Sequence, residues 1–149
     1  LASAPKPAVP AHFQSFLAFD FGVKRTGVAY GSRILRDAQP QATVNAEGDA
    51  RWVLITKRIA EWQPDALVIG VPFHPDGAAH ENTKRARKFA NRLHGRFGVK
   101  IEMVDERLTS FEAKGEVMSR GGSRDYKHNP VDSIAARLIL EGWLANNQQ

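Results

Sequence analysis

The chain has 149 residues, of which 42% are apolar, and it carries a net charge of +5. That length suits one domain with a real core, which excludes a disordered regulator and a miniprotein held by staples. No apolar run approaches the ~20 residues of a bilayer span, and the absence of cysteine excludes disulfides, thiolate nucleophiles and thiolate metal sites. A soluble protein of the reducing cytoplasm is expected, with no membrane partner.

Residues 1–12 are rich in Ala and Pro without periodicity and read as a disordered tail, leaving a single folded domain over 13–149. Phe16-Leu17-Ala18-Phe19 is a continuous apolar run ending in Asp20, the pattern of a central strand buried on both faces. Gly22 and Gly27 bracket a turn, Val28-Ala29-Tyr30 begins a second strand, and Gly31-Ser32 turns the chain into a third over Ile34 to Ala38. Trp52, Ile55, Ile59 and Trp62 then recur at helical spacing, and Gln63-Pro64-Asp65 stops that helix. Ala66 to Val71 is a fourth strand. Ala86, Phe89, Ala90 and Leu93 mark a second helix ending near Gly95, and Val99 to Val104 is a fifth strand.

Thr109-Ser110-Phe111-Glu112 has the pattern of a capping box and opens a third helix that ends at Gly121-Gly122. Asn129 and Pro130 start a last helix whose apolar face is Val131, Ala135, Leu138, Ile139 and Gly142. The strands of the first part pair antiparallel, and those alternating with helices pair parallel. The fold class is therefore α/β, with a mixed five-stranded sheet covered by helices on both faces.

Acids stand where such a sheet usually works, at strand ends and a helix start. Asp20 closes the first strand, Asp105-Glu106 follow the fifth, and Asp132 lies in the first turn of the last helix. Each has an ordinary reading as a turn former, a solvated loop residue or a partner of the helix dipole. Taken together, such carboxylates bind two hard divalent ions ~3.5–4 Å apart, and oxygen ligands favour Mg²⁺ or Mn²⁺ over Zn²⁺.

The run Asp20-Phe21-Gly22-Val23-Lys24-Arg25-Thr26-Gly27-Val28-Ala29 reads D-F-G-x-x-R-x-G-x-A. With Val68-Ile69-Gly70-Val71-Pro72, Asp76-Gly77, Asp105-Glu106-Arg107-Leu108-Thr109-Ser110 and Val131-Asp132-Ser133-Ile134-Ala135-Ala136, the chain resembles the YqgF/RuvX family. Those are bacterial proteins of RNase H-like fold, described as Holliday junction resolvases and as nucleases of pre-16S ribosomal RNA. The similarity covers about Phe16 to Leu144.

The resemblance implies an RNase H-like domain that hydrolyses phosphodiester bonds with Mg²⁺ or Mn²⁺, two ions being expected. It places Asp20, Glu106 and Asp132 on the family's three acidic positions, as catalytic residues and metal ligands. Asp105 is the second choice of ligand. Arg25 and Arg107 match arginines beside those acids, suited to meet a phosphate or to orient the carboxylates. Lys127-His128-Asn129-Pro130 departs from the family's pattern of lysines and a glycine, leaving Lys127 as that loop's phosphate contact.

The positive charge is concentrated. Between Asn82 and Ile101 there is no acid, against seven bases. Arg85, Lys88, Arg92 and Arg96 follow at steps of three, four and four along one helix face, beside the apolar one. An ordinary solvated face mixes signs, so this one is expected to track phosphates. The substrate implied is structured RNA, as in 5′ processing of pre-16S rRNA during ribosome biogenesis, or branched DNA. Other readings are a resolvase of four-way junctions, a non-catalytic nucleic-acid-binding protein and a sugar-kinase-like ATPase. The last needs a second domain that this length lacks. A monomer or weak homodimer is expected.

Overall fold

The computed structural model of the chain describes residues 12–106 and 131–147. Most of the expected tail, the third helix and the Asn129-Pro130 helix start lie outside the described residues. The elements run β1 (Ser15–Phe21), β2 (Thr26–Ser32), β3 (Asp37–Val44), α1 (Gly48–Trp62), β4 (Ala66–Val71), α2 (Glu81–Phe97), β5 (Lys100–Asp105) and α3 (Val131–Asn146).

The five strands form one sheet in the order β3-β2-β1-β4-β5. β1 pairs antiparallel with β2 and parallel with β4, β2 pairs antiparallel with β3, and β4 pairs parallel with β5. This is the mixed sheet expected. β1 is central, and Phe16 to Phe19 are all fully buried because both faces are covered. Phe16 and Ala18 face α3, packing with Ala136, Ile139, Leu140 and Trp143. Leu17 and Phe19 face α1 and α2, packing with Ile55, Phe89 and Leu93. Each such large side chain contributes about 1.5–3 kcal/mol through burial.

Three expectations need correction. Ile34 and Leu35 do not begin β3: they sit in the preceding turn, 80% and 67% exposed. Arg36, at φ 54°, takes the left-handed conformation that completes this turn, and β3 begins at Asp37. The second helix passes through Gly95 and ends at Gly98, whose φ of 64° lets its N–H bond the carbonyl of His94 at 2.9 Å. In α3 the residues on the sheet are Ala136, Ile139, Leu140, Trp143 and Leu144, while Ile134, Ala135 and Leu138 form a separate cluster. The helix is apolar around most of its girth, so periodicity misplaced the face.

Asp65 ties the start of β1 to the start of β4. Its carboxylate accepts from the backbone N–H of Gln14 at 2.7 Å and of Ser15 at 3.1 Å. Burial pushes the Asp65 pKa up, but these bonds and the Ser15 hydroxyl outweigh it, and the net shift is downward. A lowered folded-state pKa adds stability above the unfolded value, and that stability is lost as pH falls through the folded one. Asp65→Ala is therefore expected to lower Tm by a few degrees at pH 7, with the gap to wild type closing in acid. A gap that stays constant from pH 7 to pH 2.5 would assign the loss to packing instead.

Candidate active site

Asp20 lies between two glycines. Its register partners are Gly27 on β2 and Gly70 on β4. Side chains alternate along a strand, so Asp20 shares the α3 face with Phe16 and Ala18. Phe21 turns to the opposite face and packs on Phe89, ring centroids 4.9 Å apart. With no side chain on Gly70, the α3 face beside Asp20 has room for a neighbouring side chain.

Glu106 enters that room from β5, which it follows directly. A Cβ placed on Gly70 would stand 2.9 Å from Glu106 Cγ, 3.1 Å from Glu106 Oε1 and 2.5 Å from Ile139 Cδ1. The carboxyl group of Glu106 therefore lies over Gly70, in space that any other residue would fill. Adjacent strands are about 4.8 Å apart, so Asp20 and Glu106 stand on one face, at one end of the sheet, a single strand apart. Asp105 pairs with Val71 and alternates with Glu106, sharing the face of Ile101 and Met103.

The two adjacent acids thus point to opposite sides. Met103, on the side of Asp105, is 49% exposed and Glu106 only 9%, so Glu106 occupies the covered side. The cause is α3, whose Ile139 closes over Gly70 and Glu106. Asp132 stands in the first turn of α3, although its side chain lies outside the described part of the structure. Among the described residues no three acids or histidines gather closely enough to hold an ion. Arg25 closes the β1–β2 turn, half-buried, its carbonyl accepting from the N–H of Gly22 at 2.9 Å. Arg107 and Lys127 lie outside the described residues.

Two residues that shape this end of the sheet were missed in the sequence. The pairing of β2 with β3 slips between Thr26 and Val28, a β-bulge. Ser133 of α3, fully buried, bridges the two strands there: its hydroxyl donates to Gln41 O at 2.6 Å and accepts from Val28 N–H at 3.4 Å. Thr43 Oγ1 lies 3.0 Å from the same oxygen. The start of α3, and with it Asp132, is pinned beside the strand that flanks Asp20. Ser133→Ala removes this buried bridge at a cost of about 1–3 kcal/mol. The expected result is a Tm several degrees lower in thermal unfolding; an unchanged Tm would deny the hydroxyl this role.

Arg51 is the second. Its side chain is 95% buried in α1, and Nε donates to Ala46 O at 3.0 Å. Nη2 donates to the carbonyls of Gly22, at 2.8 Å, and of Val23, and the guanidinium lies over the Phe21 ring at 4.6 Å. Burial lowers its pKa, and nearby Glu47 opposes that shift. The turn that carries Arg25 is thereby held from the α1 side. No local pattern announces either residue, because each acts on a strand far away in sequence.

On α2, Arg85, Lys88, Arg92 and Arg96 all lie exposed along one face. Arg85 contacts Asn82 Oδ1 at 3.3 Å, and Arg96 lies over the Trp52 ring at 4.3 Å. Their helix is capped by His80, whose Nδ1 accepts from Asn82 N–H at 3.1 Å, so that histidine serves the fold.

A family model described as "RuvX: Holliday junction resolvase" matches residues 14–146. A protein of Albidiferax ferrireducens named "Putative pre-16S rRNA nuclease" is 59% identical over 136 residues, covering 91% of this chain and 81% of that one. One of the same name from Polaromonas sp. is 52% identical and covers 97% of both chains. Among solved structures, Thermus thermophilus RuvC in complex with a Holliday junction substrate aligns with a TM-score of 0.54 at 18% identity, over 89% of this chain and 95% of that one. The yeast mitochondrial Holliday junction resolvase Ydc2 aligns at 0.57 with 12% identity, over 87% and 77%. These two likenesses show an RNase H-like fold of the resolvase type. With the family match spanning the described core and relatives more than half identical along it, the chain belongs to the RuvX family.

Proposed function

We propose that the protein is a metal-dependent endonuclease that hydrolyses phosphodiester bonds in structured nucleic acid and trims the 5′ end of pre-16S rRNA. The observation that carries this reading is the placement of Asp20 and Glu106 on one face, either side of Gly70, whose missing side chain leaves room for the Glu106 carboxylate. The names of relatives at 50–59% identity support an RNA substrate over branched DNA.

The donor set is all oxygen and fits a hard divalent cation. Asp20, Glu106 and Asp132 would hold Mg²⁺ or Mn²⁺, two ions in this reading, with Asp105 the second choice of ligand. When bound, the ions supply an activated water and neutralise charge on the departing oxygen. The rest falls to the chain. Gly70 leaves room beside Asp20 for the Glu106 carboxylate, and Arg25 and Arg107 fix the phosphate or hold the carboxylates in place. Arg85, Lys88, Arg92, Arg96 and Lys127 bind the flanking backbone electrostatically. The enzyme works in the cytoplasm as a monomer or weak homodimer, and no described helix is long and apolar enough to cross a membrane.

A second reading is the resolvase, carried by the family description and by the RuvC-type fold. The deciding experiment offers purified protein, with Mg²⁺ or Mn²⁺, a pre-16S rRNA fragment and a four-way DNA junction side by side. Cleavage in the 5′ leader of the RNA is expected. Cleavage of the junction alone would move the assignment to resolvase, and no cleavage of either would leave the non-catalytic binder.

A further inference from the structure

The acids and the basic helix lie on opposite faces of the sheet. Asp20 and Glu106 share the face covered by α3, whereas α2 packs on the other, against Leu17, Phe19 and Phe21. What joins them is the end of the sheet at which β1, β4 and β5 finish. α2 begins there, since Thr83 in its first turn donates its hydroxyl to Pro72 O just beyond β4. It then runs back antiparallel to β4, taking Arg85 and Lys88 near that edge and Arg92 and Arg96 progressively away from it. At 1.5 Å per residue, Arg85 to Arg96 spans about 16 Å.

Between α1 and α2 this face carries a groove. Its end nearest the strand termini is bordered by Phe21, Arg51, Arg85, Lys88 and Arg92, with no acid among its lining residues. It continues past Arg92 to Arg96, where Asp49 joins the lining. Among the described residues, Arg85, Lys88 and Arg92 form no ion pair with a carboxylate. Trp52 and Phe89, in the floor, are 8% and 3% exposed, too covered to stack on a base. The groove therefore offers charge without a reading surface, which suits a phosphate backbone and not a base edge.

A strand that runs from the acids into this groove has to turn around the end of the sheet, from the α3 face to the face that Phe21 lines. A continuous duplex, with a persistence length near 50 nm, bends that sharply only at high energetic cost. A single strand does so freely. We propose, on the basis of the nuclease reading above, that the α1–α2 groove holds a single-stranded flank next to the cleaved bond, so that the preferred substrate is a junction between paired and unpaired nucleic acid. The groove is then a length sensor as well as an anchor: a flank too short to pass the edge gains nothing from it.

The test measures binding without cleavage, in EDTA, to a labelled RNA hairpin that is blunt or carries an eight-nucleotide single-stranded tail. Wild type is expected to bind the tailed hairpin at least tenfold more tightly than the blunt one. The triple variant Arg85→Gln/Lys88→Gln/Arg92→Gln should bind both equally. Its log–log salt slope for the tailed hairpin should be smaller by about two, since each phosphate that a single strand no longer has neutralised removes about 0.7. All three side chains are exposed, so the variant keeps its fold, which Tm verifies. Equal binding of both hairpins by wild type would overturn the proposal, as would a variant that loses blunt and tailed affinity alike. A tail preference without any metal-dependent cleavage would retire the nuclease reading and leave the groove standing.

Discussion

Asp20→Asn is expected to lower metal-dependent cleavage by roughly 10²–10³-fold or more, while binding in EDTA stays equal or becomes tighter. Asparagine keeps the size of the side chain and removes its charge, so the change acts on ion binding and on repulsion of phosphate. The structure makes this a clean substitution. Both register neighbours of Asp20 are glycines, so exchanging carboxylate for an amide of the same size crowds no side chain on them and Tm should move little. Cleavage by the purified variant at the wild-type rate would end the nuclease reading in its present form.

The second large effect separates the adjacent acids after β5. Glu106→Gln should lose cleavage to a similar extent, and Asp105→Asn should retain most of it, since only Glu106 shares a face with Asp20. Gly70→Ala is the informative companion, because it leaves every carboxylate in the sequence. Its methyl would collide with Ile139 Cδ1 at 2.5 Å and Glu106 Cγ at 2.9 Å, and one of the two must move. Overpacking of this kind costs about 1–3 kcal/mol. Adding Ile139→Val frees space, so the double variant should regain part of both Tm and activity. If Gly70→Ala cuts at the wild-type rate, the place of Glu106 over Gly70 has no bearing on catalysis. If Asp105→Asn is the inactive variant and Glu106→Gln cuts normally, the ligand is the other carboxylate.

How much of this was legible in the sequence depended on how far each cause lies from its effect. β1 and β4 were plain, because a strand covered on both faces must be apolar at every position, and Ala66 to Val71 are all buried. β3 was not. Its sequence, DAQPQATV, has little strand character of its own, and pairing with β2 holds it in place. Ile34 and Leu35 looked more like a strand but are spent in the turn. The end of α2 was ambiguous between two glycines. The helix runs through Gly95, and of the two only Gly98 has the left-handed φ that stops it. In the candidate site, the acids and the basic face could be named from spacing and resemblance. The bulge bridged by Ser133 and the carbonyls held by Arg51 could not, since they join residues 105 and 29 positions apart.

The placement of α3 also bears on how the chain is made. Phe16, Ala18, Ala29, Ala38, Ala66 and Val68 present one apolar surface, and among the described residues α3 is the helix that covers it. All five strands precede that helix in the chain. As synthesis proceeds from the N-terminus, the sheet can pair and gain α1 and α2 while its other side is still bare. The helix that covers this side therefore leaves the ribosome after every strand of the sheet, and until then the nascent chain carries an exposed apolar sheet surface. The same delay applies to Asp132, which arrives only with the helix that covers this face.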